Sequence, residues 1–354
     1  MNDEWLIYRG VGEPHDGIEA LPDPPPWRDF DGGPVGDPDD GGRAGSGAAD
    51  GASAADGAIA RRLGAHRQAA ELHRPEPEEL EAINAALYLR RPLLVTGFPG
   101  TGKSTLAHAV AHELKLGRVL RWPVVSRTVL QDGLYRYDAL ARLQDVQIAA
   151  SGGGGGGGQA GGQAGGPGIG KYIRLGPLGT ALLPTERPRV LLIDELDKSD
   201  IDLPNDLLNV LEEGEFALPE LERVADTEPE VRVLTDDGAK VTVRGGRVRC
   251  RAFPFIILTS NGERDFPAAL LRRCIQLKLG QPGEKRLATM VRAHLGEEAA
   301  QLGADLIREF LSRSQTELVA ADQLLNAVYL THYAAPPTRE DLADLLIQRL
   351  DRPR

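Results

Sequence analysis

Cysteine is nearly absent from this chain: among 354 residues there are two, Cys250 and Cys274. They lie far apart with no C-x-x-C spacing, which excludes a disulfide framework and suits a reducing compartment. Long apolar runs are wanting too, since no stretch approaches the roughly eighteen continuous apolar residues of a membrane helix. No membrane span is therefore expected. Basic charge is in deficit, with 41 Lys+Arg against 52 Asp+Glu and a net charge of −11, and so acidic a chain is a poor general binder of polyanions. Nucleic acid is accordingly a disfavoured partner. The opening Met1-Asn2-Asp3-Glu4 has neither the basic nor the apolar region of a secretory leader, and together these absences predict a cytoplasmic protein.

One glycine-rich stretch organises what is present. Gly97-Phe98-Pro99-Gly100-Thr101-Gly102-Lys103-Ser104 follows the short apolar run Leu93-Leu94-Val95-Thr96 and precedes Thr105 to Leu114, which has helical spacing. Strand, glycine loop and helix in that order form a phosphate cradle. Glycines let backbone N–H groups turn inward, the helix N-terminus adds its positive end, and the lysine reaches the β- and γ-phosphates. The candidate nucleotide-binding set is Gly97, Phe98, Pro99, Gly100, Thr101, Gly102, Lys103, Ser104 and Thr105, with the Ser104 hydroxyl a ligand for Mg2+. A second apolar run, Val190 to Ile193, reads as a buried parallel strand and ends in Asp194-Glu195. Ligands of open α/β sheets sit at the carboxyl ends of such strands. Asp194 is thus placed to share the Mg2+ shell and Glu195 to polarise an attacking water. A third run, Phe255 to Ser260, ends in the amide of Asn261. His108 and His112 are four apart on one helix, but no glutamate follows His108 and no third ligand is evident, so no metal site is expected there.

Around these motifs the chain divides in three. Residues 1–74 read as a disordered tail, aromatic and proline-bearing at first (Trp5, Tyr8, Pro24-Pro25-Pro26, Trp27, Phe30), then dominated by Gly, Asp, Ala and Ser. The tryptophans leave open a second reading, a short motif that docks on a partner or on the folded body. Residues 75–282 read as an α/β core, interrupted by a low-complexity glycine insertion at 151–170 whose length costs little entropy. Period-two alternation over Glu230 to Arg251, with turns at Asp236-Asp237-Gly238 and Gly245-Gly246, predicts a hairpin or three-stranded ribbon. Lys240, Arg244, Arg247, Arg249 and Arg251 make that ribbon basic, with Glu220, Glu222, Asp226, Glu228 and Glu230 just before it as possible partners. From Gly283 to Arg354 the pattern is helical, over Glu284 to Leu295, Gly296 to Ser312, Thr316 to Thr331 and Arg339 to Leu350, with Pro336-Pro337 as a break.

In chain order, the cradle Gly97 to Ser104, then Leu191-Leu192-Ile193-Asp194-Glu195, Thr259-Ser260-Asn261-Gly262 and Leu270-Leu271-Arg272-Arg273-Cys274 resemble the AAA+ ATPases, and look most like their MoxR-type branch. The likeness runs from about Pro75 to Leu350. It implies an α/β P-loop core, a parallel sheet flanked by helices with a β-hairpin insertion, followed by a C-terminal α-helical lid. ATP and Mg2+ are the implied cofactors and ATP hydrolysis the implied reaction. Lys103 and Ser104 match the Walker A pair, Asp194 and Glu195 the Walker B pair, and Asn261 the sensor that holds the attacking water or γ-phosphate. Arg273, or else Arg272, matches the arginine that reaches a neighbouring subunit's nucleotide. A shared site implies a homo-oligomer, usually a hexameric ring, acting on a protein partner, in this branch often one with a von Willebrand factor A domain. The branch's extra elements would be roughly 133–179 and 230–251, where Tyr135 and Tyr137 either grip a polypeptide at the ring axis or pack. Many relatives also place an arginine in the lid against the γ-phosphate, whereas the helix expected over Leu318 to Thr331 holds Asp322, Gln323 and Asn326 and no arginine. Besides a remodelling ATPase, a slow nucleotide-dependent switch or scaffold in a signalling or defence complex, and a nucleic-acid motor, remain as alternative classes.

Overall fold

A computed structural model describes residues 5–32, 75–151, 168–314 and 321–333. The helix α1 (Pro77–Leu89) has proline at its start and two glutamates in its first turn, as the positive end of a helix favours. It leads into β1 (Leu93–Thr96), the loop, α2 (Lys103–Glu113) and β2 (Leu120–Pro123). Next come α3 (Leu130–Leu134), β3 (Tyr135–Tyr137), α4 (Ala139–Ser151), β4 (Ile173–Leu175), α5 (Pro177–Ala181) and β5 (Val190–Asp194). The chain continues through α6 (Asp202–Glu213), β6 (Glu215–Ala217), α7 (Pro219–Glu222), β7 (Glu230–Leu234), β8 (Lys240–Arg244), β9 (Arg247–Arg249), β10 (Phe255–Ser260), α8 (Ala268–Arg273) and β11 (Ile275–Lys278).

Five strands form a parallel sheet in the order β11-β1-β10-β5-β2. Alternation along each strand divides its side chains between two cores. Leu93, Val95, Leu192, Ile257 and Leu277 pack with α1 and α2 on one face. Leu94, Leu120, Trp122, Leu191, Ile193, Ile256 and Leu258 pack on the other, under α5, α6 and a second sheet. That second sheet has the order β3-β4-β7-β8-β9-β6. The two insertions expected over 133–179 and 230–251 therefore merge into one sheet through the β4–β7 pairing of Arg174 with Leu234. The ribbon is three-stranded as the alternation predicts, and its arginines are paired: Arg244 with Glu230 at 2.9 Å, Arg247 with Glu222 at 3.0 Å, and Arg249 with Asp31 at 2.7 Å.

Helices α9 (Glu284–Leu295), α10 (Glu297–Leu302), α11 (Ala304–Ser314) and α12 (Ala321–Tyr333) bury a core of their own around Leu287, Val291, Ile307, Phe310 and Leu324. The helix expected over 339–350 lies outside the described residues. No helix among the described residues is long and apolar enough to cross a membrane.

Two expectations require correction, and one open alternative is decided for Tyr135 in favour of packing. Residues 5–32 are not a disordered tail: Ile7, Tyr8, Ile18 and Phe30 are buried in the two sheet cores, forming a strap. Its backbone finds partners in side chains of the core. Asn84 accepts from the N–H groups of Ile7 and Tyr8 and donates back to the Tyr8 carbonyl, while the Glu113 carboxylate accepts from the N–H groups of Arg9, Gly10 and Gly12 and contacts His15. Of the two readings left open for the tryptophan segment, docking on the folded body is the one observed for 5–32; residues 33–74 lie outside the described set. The end of the glycine insertion is also ordered, because Gly170 lies so close to β7 that a Cβ there would sit 2.1 Å from the Arg232 carbonyl oxygen. Finally, Tyr135 cannot grip anything as it stands: it is 4 % exposed, stacked on Phe216, and its hydroxyl donates to Glu220. Tyr137 is half-buried and its hydroxyl accepts from Arg142.

Both cysteines are buried and free, and burial pushes each thiol up to about 12. A thiolate is the reactive form. A maleimide reagent at pH 8 is therefore expected to label neither cysteine of the native chain within minutes and both after denaturation, read by intact-mass spectrometry; rapid native labelling would contradict this packing.

Candidate active site

The ends of β1, β5 and β10 converge on the loop between β1 and α2. Gly102 precedes the first residue of α2 with φ 89°, and Gly100 has φ 77°. Both values lie in the left-handed region where a side chain is disfavoured, and glycine supplies that conformation at no steric cost. Lys103, the first residue of α2, is 8 % exposed and folds back over this loop. Its ammonium donates to the carbonyls of Gly97 (2.7 Å) and Phe98 (2.9 Å) and to Asn261 Oδ1 (2.8 Å). Burial pushes the Lys103 ammonium below its ordinary value, against the pull of Asp197, Asp194 and Glu195. Thr101 is buried and bonds within the loop to Phe98, whereas Phe98, Pro99 and Gly100 are exposed and Thr105 is half-buried.

Ser104 Oγ donates to Asp194 Oδ1 at 2.8 Å, and Thr259 Oγ1 donates to the same oxygen at 2.8 Å. Asp194 Oδ2 accepts from Arg121 Nη2 at 2.7 Å. Burial pushes the Asp194 carboxyl up, but the hydrogen bonds from Arg121, Thr259 and Ser104 outweigh it, leaving the group below its ordinary value and ionised at neutral pH. A hydroxyl and a carboxylate in contact are hard oxygen donors of the kind Mg2+ takes. That cation generally uses one or two protein ligands and fills its shell with water and phosphate oxygens. The pair therefore fits Mg2+. No cluster of three or more His, Cys, Asp or Glu that could form a fuller cage occurs among the described residues.

Glu195 follows with φ 62°, a left-handed conformation uncommon for a residue with a side chain. Its N–H donates to Thr259 Oγ1, so one threonine ties the turn to the Asp194 carboxylate. The Glu195 carboxylate is 43 % exposed and paired with Lys198 at 2.7 Å.

Lys103, Ser104, Asp194, Asn261 and, through Thr259, Glu195 are thus brought together. Arg272 and Arg273 are not. Arg273 pairs with Glu212 at 2.8 Å, Arg272 is exposed, and among the described residues neither bonds to the loop. Three residues at the site were missed in the sequence. Asp197, 2 % exposed, accepts from the N–H groups of Asn261 and Glu263 and so fixes the turn that presents the amide. Arg286, from α9, pairs with the buried Glu79 of α1 at 2.6 Å and reaches the Thr101 carbonyl at 3.4 Å, linking lid, core and loop. Arg121 is the third. The third carboxylate of Asp194-Glu195-Leu196-Asp197 hinted at Asp197; nothing local pointed to either arginine.

A glycine loop at a helix start, a lysine over it and a Ser–Asp oxygen pair at the carboxyl ends of parallel strands define a nucleotide-binding P-loop protein of the AAA+ type. The chain belongs to the AAA domain family, dynein-related subfamily, whose model matches residues 92–274. Among solved structures it is similar to PCH-2 of C. elegans, with 15% identity over 82% of this chain and 66% of that one and a TM-score of 0.34. It is also similar to the RuvB Holliday junction branch migration motor of Thermotoga maritima, with 17% identity, 75% and 65% of the two chains covered and a TM-score of 0.35. The chain thus spans just under two thirds of the length of each. No curated protein matches its sequence.

Proposed function

We propose that the chain is a MoxR-type ATPase that binds and hydrolyses ATP with Mg2+ in an oligomeric ring, most simply a hexamer, to remodel or activate a protein partner. The observation that carries this reading is the contact of Lys103 with Asn261 beside that of Ser104 with Asp194, two side chains from the start of α2 meeting one each from the ends of β5 and β10. In this reading the loop N–H groups and Lys103 hold the phosphates, and Ser104 and Asp194 hold the metal, which neutralises charge on the phosphate oxygens when bound. Asn261 and Glu195 orient a water and draw off its proton, and Arg273 or Arg272 serves the adjoining protomer's site. A partner with a von Willebrand factor A domain follows from the resemblance to the branch.

Glu195→Gln tests the base. Removing a general base costs about 10²- to 10⁴-fold, so steady-state phosphate release is expected to fall at least about a hundredfold while nucleotide is still bound. Unchanged release would remove Glu195 from the mechanism. The ion pair between Glu195 and Lys198 favours the second reading, a slow switch, because a carboxylate already paired is a poorer base until the pair opens. Release near the detection limit in wild type and variant alike, with tight binding in both, would favour that switch over a motor.

A further inference from the structure

Strand β2 is the edge of the parallel sheet, next to β5. Its residues alternate: Leu120 and Trp122 enter the core beneath the second sheet, and Arg121 and Pro123 are exposed. Pro123 lies opposite Asp194 in the ladder, so Arg121, two residues earlier, shares its face and runs up the edge to the same carboxylate. The division of labour on Asp194 is sharp. Oδ1 takes both hydroxyls, Ser104 and Thr259, and Oδ2 takes the guanidinium. Arg121 is 51 % exposed on its side chain while Asp194 is 10 % exposed, so one partner is fixed and the other has solvent to swing into.

A divalent cation placed between Ser104 and Asp194 would meet a full positive charge already seated on that carboxylate. Like charges at such range repel, and the carboxylate cannot be held fully by both. We propose that Arg121 is a built-in counter-cation of Asp194: it holds the carboxylate when the metal is away, gives it up when Mg2+ enters with the nucleotide, and so sets how much Mg2+ the site requires. The inference rests on the nucleotide reading above and adds to it a residue that tunes metal demand. Arg121 acts through Asp194 and is a positioning residue.

The test uses the full chain and a fluorescent ATP analogue at fixed concentration, titrated with Mg2+. Wild type, Arg121→Gln and Arg121→Lys are compared at low and at high salt. Glutamine keeps a donor and removes the charge. Because the arginine is half-exposed, its effect is that of a screened pair, and the Mg2+ midpoint is expected to fall about three- to tenfold in Arg121→Gln. It should stay within about twofold of wild type in Arg121→Lys, and the difference should shrink at high salt. A merely structural role would not give a charge-specific, salt-sensitive shift in that direction. A midpoint unchanged or raised in Arg121→Gln overturns the inference, as does weaker binding of the analogue with EDTA present, which would make Arg121 a phosphate contact. If the wild type binds no analogue at any Mg2+ concentration, the nucleotide reading itself fails and this inference with it.

Discussion

Lys103→Ala is expected to weaken nucleotide binding by about 10²- to 10⁴-fold with little loss of folding stability. Hydrogen bonds to charged groups contribute about 1.5–3 kcal/mol each. A lysine bridging two phosphate groups makes two of them, and about 1.4 kcal/mol is a tenfold change in affinity. Stability should hold because the ammonium lies buried on two carbonyls and an amide, where desolvation opposes the charge. Deleting it removes the cost of burial together with the bonds. Titration of a fluorescent ATP analogue gives the affinity and thermal unfolding gives the control. A variant that folds normally and binds as well as wild type would end the assignment of this loop to phosphate.

The second large effect lies far from the loop. Arg28, in the strap, is 5 % exposed and has no carboxylate partner among the described residues; its guanidinium donates to the carbonyls of Arg90, Leu211 and Glu212. These oxygens belong to the ends of α1 and α6, so one cation caps the negative ends of two helices. It is also held over the rings of Phe30 (5.0 Å) and Phe253 (4.5 Å). Arg28→Ala orphans buried acceptors at about 1–3 kcal/mol each and gives up two cation–π contacts at about 0.5–2 kcal/mol each. Allowing for water entering the gap, a loss of about 3–5 kcal/mol is expected. That is a large share of the 5–15 kcal/mol that folds a typical domain. Arg28→Lys should recover only part, since an ammonium has three donors and no planar fork, against the five hydrogen bonds that the guanidinium makes. Urea denaturation decides: a loss below about 1 kcal/mol for the alanine variant would mean that the strap does not anchor the fold.

Local chemistry was legible in the sequence, and distant pairing was not. Lys103, Ser104, Asp194 and Asn261 were readable because each sits in a short pattern, a strand with a polar end or a glycine loop before a helix, whose geometry follows from neighbours along the chain. The ribbon over 230–249 was readable from alternation for the same reason. The strap was not. Ile7, Tyr8 and Ile18 follow neither helical nor strand period, and the strap is held by Asn84 and Glu113, 77 and 104 residues from the groups they bond. Prolines and acids made the segment look unfoldable, because composition measures what a segment can bury in itself and not what it can borrow. Arg286 was missed likewise. The pattern of relatives places a lid arginine within 318–331, whereas the arginine at the loop comes from the first lid helix and meets a glutamate 207 positions earlier. The fate of Tyr135 turned on the merging of the two insertions, which no local pattern records.

That merger has a consequence for how the gene can change. The two margins of the glycine-rich stretch are tied together, Asp138 N–H to the Tyr172 carbonyl and the Tyr172 hydroxyl to Asp145. Whatever is spliced in between Ser151 and Gly168 leaves a closed seam behind it, and the entropic cost of a longer connection between two fixed ends grows only logarithmically. Drift in repeat number there should pass unnoticed by the nucleotide-binding half, and a reporter domain could be carried at that position with the rest of the fold unaware of its cargo.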